Sequence, residues 1–432
     1  MKRKITQKLV EWKNQTKNRL PLILHGARQV GKTFILEELG ATQYKNTVYI
    51  NFEQTPSFKS VFDGDLVPER IIHLLEVATD QSIVPGETLI ILDEIQTCER
   101  ALTSLKYFAE SADSFHIVAA GSLLGIAIHR ENASFPVGKV RMEALYPLDF
   151  EEYLWALGKE SLAEEIRHAF EGDLPLVDIL HEQALDLYKN YLCTGGMPVA
   201  VGEYAETRRL SAIPQIQTNI LNAYVADMVK YATSSESVKI RNAFDSIPAQ
   251  LAKENRKFQY KLLKKGASAA HFGAAIDWLC SSGVVLKCRR IEQGKMPPAA
   301  YVDLNAFKLY LSDIGLLLAK SGIPIQTVLL ASENSQDFRG SLAENYAAQA
   351  LTAAGHDLFY WESSSQAEVD FVIVRDEAVI PVEVKSAMHS RSKSLGVYVE
   401  RYQPPYAIRL STRNFGFENK IKSIPLYAAF LI

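Results

Sequence analysis

The sequence predicts an α/β protein in three parts: a parallel-sheet domain built round a phosphate-binding loop, a helical region ending in a winged-helix-like unit, and a carboxy-terminal α/β domain. Three observations carry this expectation. A glycine-rich loop, Gly26-Ala27-Arg28-Gln29-Val30-Gly31-Lys32-Thr33, stands between an apolar strand and a helical stretch. A second apolar run, Thr88 to Leu92, ends in Asp93-Glu94. Near the carboxy terminus, two oily strands flank Arg375-Asp376-Glu377 and collect Glu368, Asp370, Glu383 and Lys385 at their outer ends.

Size and composition bound the possibilities. The chain has 432 residues, 47% of them apolar and 10% aromatic, enough for packed cores and against global disorder. A formal net charge of -3 excludes a uniformly basic coat but leaves room for a local basic patch. Cys98, Cys193, Cys280 and Cys288 form no CxxC pair, which argues against zinc and disulfides and suits a reducing, cytoplasmic setting. The basic start MKRKITQKLVEWKNQ lacks an apolar stretch of signal-peptide type. The longest oily run, Ile117 to Ile128, is too short to cross a membrane.

In the first domain, expected over 1–160, Leu22-Ile23-Leu24 is a strand, and Phe34 to Gly40 a helix stopped by Gly40. The loop between them has the GxxxxGKT spacing of a P-loop. Glycines let successive N–H groups turn inward toward phosphate oxygens, and the following helix adds its positive end. Lys32 is placed to bridge the β- and γ-phosphates, and the Thr33 hydroxyl to ligate Mg²⁺. Four apolar residues before Asp93 mark a strand buried on both faces. Asp93 is the expected metal support, and Glu94 the group that orients or deprotonates a water. Phe115 to Ala120 is a further strand, ending in Gly121-Ser122. Ser122 is a candidate γ-phosphate sensor, with a helix N-cap as the competing role. Thr47 to Asn51 adds a strand with Asn51 and Glu53 at its carboxyl end. An arginine is expected at the transferred phosphoryl group. Arg28, Arg130 and Arg141 are the candidates, and Arg141 is favoured.

Residues 161–235 read as amphipathic helices punctuated by a turn at Gly195-Gly196-Met197-Pro198. Residues 236–320 give the element order of a winged helix. Helices are expected over Phe244–Lys253, Tyr260–Lys264 and Ser268–Cys280, and strands over Val284–Ile291 and Ala299–Asp303. The third helix has no lysine or arginine, whereas Lys253, Arg256, Lys257, Lys261, Lys264, Lys265, Lys287, Arg289, Arg290 and Lys295 surround it. A surface gripping the DNA backbone and a solvated face on a protein-docking unit both fit this distribution.

In the last domain, 321–432, a two-residue turn at Asp376-Glu377 pairs residues whose numbers sum to 753. Asp370 then stands opposite Glu383, and Glu368 opposite Lys385, all on one face. Opposed carboxylates repel unless compensated. A divalent ion shared by Asp370 and Glu383, with Lys385 beside it, is one solution; a Glu368–Lys385 ion pair without metal is the other. Upstream, Arg339 to Gly355 reads as a helix carrying Glu344. Glutamate on a helix, then Asp, then Glu-x-Lys, is the order of a metal-dependent phosphodiesterase core.

In their order, GARQVGKT, LIILDEIQ, AAGSLLG, GGMP, FKLYLSDIGLL and GSLAENY…EVDFVI…PVEVK resemble the bacterial and archaeal AAA-type ATP-binding proteins with a carboxy-terminal domain of unknown function. That last domain is similar to the restriction-endonuclease-like fold. The resemblance implies an ATPase using ATP and Mg²⁺. Gly26, Gly31, Lys32, Thr33, Asp93 and Glu94 match the nucleotide motifs. Glu344, Asp370, Glu383 and Lys385 match the nuclease-like motif, as metal ligands and catalytic groups. Where the family pattern has Gly-Arg, this chain has Gly138-Lys139. The implied partner is DNA, held by the winged-helix and nuclease-like regions, with a nucleotide-gated, non-cleaving domain that docks protein or DNA as the alternative.

Overall fold

The structure is a computed structural model that describes residues 1–122, 135–230, 232–330, 336–363, 367–386 and 393–432. The chain divides into two compact units. The first comprises Lys2–Tyr146 with Ser281–Gly283; the second comprises Met1, Pro147–Cys280 and Val284–Ile432.

The first unit holds a sheet of β1 (Leu22–His25), β2 (Asn46–Asn51), β3 (Thr88–Asp93), β4 (His116–Gly121) and β5 (Arg141–Ala144). Its order is β2-β3-β4-β1-β5, with every pairing parallel. All six residues of β3 and of β4 are buried, as strands covered on both faces must be. One face packs on the helices Pro68–Thr79 and Glu99–Ser111 through Ile71, Leu75, Leu102, Leu105 and Phe108. The helix after the loop runs from Lys32 to Gln43, past the stop expected at Gly40. A Cβ on Gly40 would come within 2.4 Å of the Thr47 hydroxyl oxygen. The glycine therefore lets helix and β2 approach closely, and does not end the helix.

The second unit begins with the helices Phe150–Ala156, Glu160–Gly172, Asp178–Thr194, Pro198–Thr207 and Ile213–Lys230. The first is closed by a capping box between Asp149 and Glu152. Gly195-Gly196 does more than turn the chain. A Cβ on Gly196 would lie 2.0 Å from the Leu148 carbonyl oxygen, and one on Gly195 would lie 2.3 Å from the Asp313 carboxylate. That carboxylate accepts from the N–H groups of Gly196 (2.6 Å) and Leu316 (2.9 Å). Phe150, Tyr153, Tyr188 and Tyr191 interlock with Tyr346 and with the terminal 3-10 helix Leu426–Leu431, at ring separations of 4.8–6.5 Å.

The remaining strands are β6 (Val285–Ile291), β7 (Val302–Leu311), β8 (Phe359–Glu362), β9 (Glu368–Arg375), β10 (Ala378–Val384), β11 (Ala407–Ser411), β12 (Gly416–Glu418) and β13 (Ile421–Pro425). They form one eight-stranded sheet in the order β12-β13-β11-β10-β9-β8-β6-β7. This changes the expected organisation. This stretch holds the helices Ser234–Leu251 and Ala269–Ser281, only a 3-10 turn Tyr260–Leu262 where a second helix was expected, and the hairpin β6–β7, with β7 much longer than the expected Ala299–Asp303. Yet β6 also pairs with β8, so the boundary expected at 320 falls inside one sheet. The boundary expected at 160 likewise moves to Tyr146. Neither shift is readable from local pattern, because strand partners are chosen at long range.

The hairpin β9–β10 has the predicted register, with Arg375 opposite Ala378 and Phe371 opposite Val382. Asp376 and Glu377 both sit at positive φ, 51° and 60°, as a two-residue turn matching the strand twist requires. A side chain in this region costs about 1 kcal/mol that glycine avoids. Glu377→Gly is therefore expected to raise the thermal midpoint of the second unit by about 2–4 °C. An unchanged or lowered midpoint in calorimetry would show the turn to be unstrained.

Candidate functional site: a phosphate loop and a second acidic cluster

The strand–loop–helix order follows from the backbone. Gly26 (φ 150°) and Gly31 (φ 94°) take conformations that suit glycine. Gly26 is also forced by contact, since a Cβ there would stand 2.1 Å from the Leu145 carbonyl oxygen. Lys32 is buried, and its ammonium donates to the carbonyls of Gly26 (2.9 Å) and Ala27 (2.8 Å), which holds it across the mouth of the loop.

Asp93 ends β3, level with Asn51. Its Oδ2 accepts from the Thr33 hydroxyl (2.7 Å) and the Tyr49 hydroxyl (2.9 Å), and its Oδ1 from the Glu94 N–H (2.9 Å). Every one of these three neighbours is a neutral donor, and none brings a countercharge. Thr33 and Asp93 thus present hard oxygens at one point, which fits Mg²⁺. Glu94 has a left-handed backbone (φ 53°) and accepts from the Gln96 amide. Burial pushes its carboxyl above the usual carboxylate range; the Gln96 bond opposes this and the charge of Asp93 adds to it. Ser122 is buried and directly follows β4, level with Gly26 by the β1–β4 register.

Two residues that sequence reasoning missed belong to this site. Tyr49 braces Asp93 and is itself a hydrogen-bond acceptor for the Asn51 amide (3.2 Å). Arg3 is 6% exposed and donates to the Val30 carbonyl of the loop at 3.0 Å. Their only signals were a tyrosine on a strand and a basic amino terminus. Asn51 itself caps the following turn, accepting from the N–H groups of Glu53 and Gln54 (2.9 Å each).

Two of the three candidate arginines pair with carboxylates. Arg141 opens β5 opposite Leu22, three residues upstream of the level of His25, and its guanidinium is held by Glu143 at 2.8–2.9 Å. It lies at the amino ends of the strands, whereas ligands of such sheets sit at the carboxyl ends. Arg28 pairs with Glu53 at 3.6 Å. Lys139, standing where the family pattern has arginine, pairs with Glu110 at 3.1 Å. Arg130 lies outside the described residues.

The second acidic cluster is built differently. Glu344 is fully buried on the helix Gln336–Ala353. Its carboxylate meets the Lys308 ammonium (3.0 Å), the Arg256 guanidinium and the Tyr310 hydroxyl. Lys308, also fully buried, reaches Glu368 at 2.5 Å. Burial raises the Glu344 carboxyl, but Lys308 and Arg256 outweigh it and the pKa falls below the usual range. Asp370 accepts from the Val384 N–H at 2.8 Å, and burial together with the charge of Glu344 lifts its pKa to about 7. Glu383 contacts Lys385 at 3.2 Å and Arg409 at 3.9 Å.

Of the expected metal set, Asp370 feels the charge of Glu344, while Glu383 pairs with Lys385 and Arg409. Glu344 is neutralised by cations of the protein, and no group of three or more His, Cys, Asp or Glu among the described residues is arranged to hold a metal. The expected Glu368–Lys385 pair is replaced as well, because Glu368 turns to Lys308 and Lys385 to Glu383.

Residues 18–154 match the AAA domain family, residues 185–327 a domain of unknown function (DUF8612), and residues 339–429 another (DUF4143). The first unit is accordingly an AAA-type P-loop domain. No curated protein matches. Among solved structures, a Walker-type ATPase of Pyrococcus abyssi aligns at 15% identity and TM-score 0.43, over 73% of this chain and 94% of its own. The ORC2 protein of Aeropyrum pernix aligns at 14% and 0.32, over 76% and 90%, and AMPPCP-bound DnaA of Aquifex aeolicus at 12% and 0.27, over 63% and 84%. These scores are low, so the assignment rests on the family match and the loop geometry. No helix among the described residues is long and apolar enough to cross a membrane.

Two predictions follow from the electrostatics. Asp370 titrates near 7 when folded and near 3.9 in an unfolded chain. Its contribution to stability is therefore complete below about pH 4 and lost as pH rises through 7. Asp370→Asn should leave the thermal midpoint unchanged at pH 3 and raise it at pH 8; equal midpoints at pH 8 would contradict the assignment. For Glu94, Glu94→Gln should retain nucleotide in calorimetry while any hydrolysis falls about 10²–10⁴-fold.

Proposed function

We propose that the chain is a Mg²⁺-dependent ATPase whose second unit docks a partner and does not cleave it. The first half rests on the AAA domain and on the convergence of Lys32, Thr33, Asp93 and Glu94. In this reading, Lys32 exchanges its two carbonyl partners for β- and γ-phosphate oxygens. Thr33 and Asp93 hold the ion, and Tyr49 keeps the Asp93 carboxylate in place. When bound, Mg²⁺ supplies charge neutralisation at the phosphate oxygens. Glu94 orients the attacking water and takes its proton. The carboxylate is the working form, so hydrolysis falls as pH drops through a pKa above the usual carboxylate range. Ser122 supplies a polar contact at the strand end.

The second half is carried by one observation, the Glu344 carboxylate shared by Lys308, Arg256 and Tyr310. A restriction-endonuclease-like core is supported by Glu344 on its helix, then Asp370 and Glu383-x-Lys385 on one hairpin. A divalent ion at Glu344 would have to displace two cations already in contact with it. The chemistry of cleavage is thus replaced by an internal ion network, and the fold is kept as a docking platform.

Lys253, Lys261, Lys264 and Lys265 are all exposed on one short segment, and Lys295 on the β6–β7 loop. This favours a polyanion such as DNA as the partner, gripped through its phosphates. DNA binding should weaken steeply with salt, and Lys264→Glu with Lys265→Glu should reduce the slope of log K against log salt by about 2. Wild-type protein with Mg²⁺ or Mn²⁺ should leave single- and double-stranded DNA intact. Cleavage that disappears in Asp370→Ala and Lys385→Ala would reinstate the nuclease reading.

A further inference from the structure

Arg3 makes two contacts that the chemistry of nucleotide hydrolysis does not require. Its Nη1 donates to the Val30 carbonyl at 3.0 Å, and its Nη2 to the Tyr146 carbonyl at 2.6 Å. Val30 is the last residue before Gly31 in the phosphate loop. Tyr146 is the last residue of the first unit, immediately before Pro147. A planar guanidinium serves two fixed acceptors at once, which a single ammonium does not.

Peptide planarity gives the first contact its meaning. The Val30 C=O and the Gly31 N–H belong to one trans peptide plane and point in opposite directions. Holding the carbonyl on Arg3 therefore aims the Gly31 N–H away from Arg3. The second contact reaches the chain leaving the unit, and the same stretch is anchored again nearby. The Leu145 N–H donates to the His25 carbonyl at 2.8 Å, and the Leu145 carbonyl packs on Gly26 so closely that a Cβ there would stand 2.1 Å away.

Two residues further on, within the second unit, Leu148 is held as firmly. Its N–H donates to the Gly196 carbonyl at 2.7 Å, and its carbonyl accepts from the Tyr191 hydroxyl at 2.6 Å. Only Tyr146 and Pro147 separate the two anchored points, and proline fixes its own φ.

We propose that Arg3 is a positioning residue that ties the phosphate loop to the exit segment at Tyr146, so that nucleotide occupancy is transmitted along the chain to Leu148 and its Gly196 anchor. The proposal rests on nucleotide binding as argued above and adds the route by which binding reaches the second unit.

The test uses the full chain and MgADP as probe, with calorimetry for affinity and hydrogen exchange for the amide of Leu148. In the wild type, saturating MgADP should change Leu148 exchange. Arg3→Ala should weaken MgADP about ten-fold or more and abolish that change even at saturation. Added guanidinium should restore both. Arg3→Lys, which keeps the charge but not the fork, should recover affinity at most in part, and it stands in if Arg3→Ala does not fold. Wild-type affinity and wild-type Leu148 response in Arg3→Ala, or full function in Arg3→Lys, would overturn the proposal. A wild-type protein that binds MgADP without any change at Leu148 would sink this inference alone. One that binds no MgADP would remove the ATPase reading itself.

Discussion

A fully buried lysine against a fully buried glutamate is the constraint on which the second unit turns. Removing one member of such a pair leaves an uncompensated charge and costs about 3–5 kcal/mol. Lys308 and Glu344 therefore hold each other in place, and with them the strand and the helix that carry them. Burial pulls the Lys308 ammonium down, but Glu344, Glu368 and Asp370 more than reverse this and its pKa ends above the ordinary lysine range. Lys308 on β7 also reaches Glu368 on β9, although β6 and β8 lie between these two strands in the sheet order.

The two acidic clusters differ in their neighbours. Asp93 is surrounded by hydroxyls and a backbone N–H, all neutral donors that stabilise a carboxylate without cancelling its charge. The site retains a demand for a cation. Glu344 is surrounded by an ammonium and a guanidinium, and that demand has already been met within the chain. A buried carboxylate thus meets only neutral donors in one unit and two cations in the other.

Glycine contacts show a similar division between local and distant causes. Gly31 is glycine because of its own backbone conformation, and the motif alone conveys this. Gly26, Gly40 and Gly196 are glycine because of what lies against them: the Leu145 carbonyl, the Thr47 side chain and the Leu148 carbonyl. Read locally, Gly40 was a helix stop and Gly196 a turn. Their partners lie 7 to 119 positions away in sequence, beyond the reach of any local pattern.

The sequence by itself determined whatever depends on neighbours along the chain. That includes the phosphate loop between strand and helix, the acidic end of β3 and the hairpin register that sets Phe371 across from Val382. Short-range periodicity and turn chemistry suffice for each. Only the tertiary structure decided which cation meets which carboxylate. Lys308, Arg256 and Tyr310 come to Glu344 from 36, 88 and 34 residues away. Arg3 is drawn to carbonyls at 30 and 146. Charge pairing acts through space over a few ångströms, and spacing along a sequence carries no record of it.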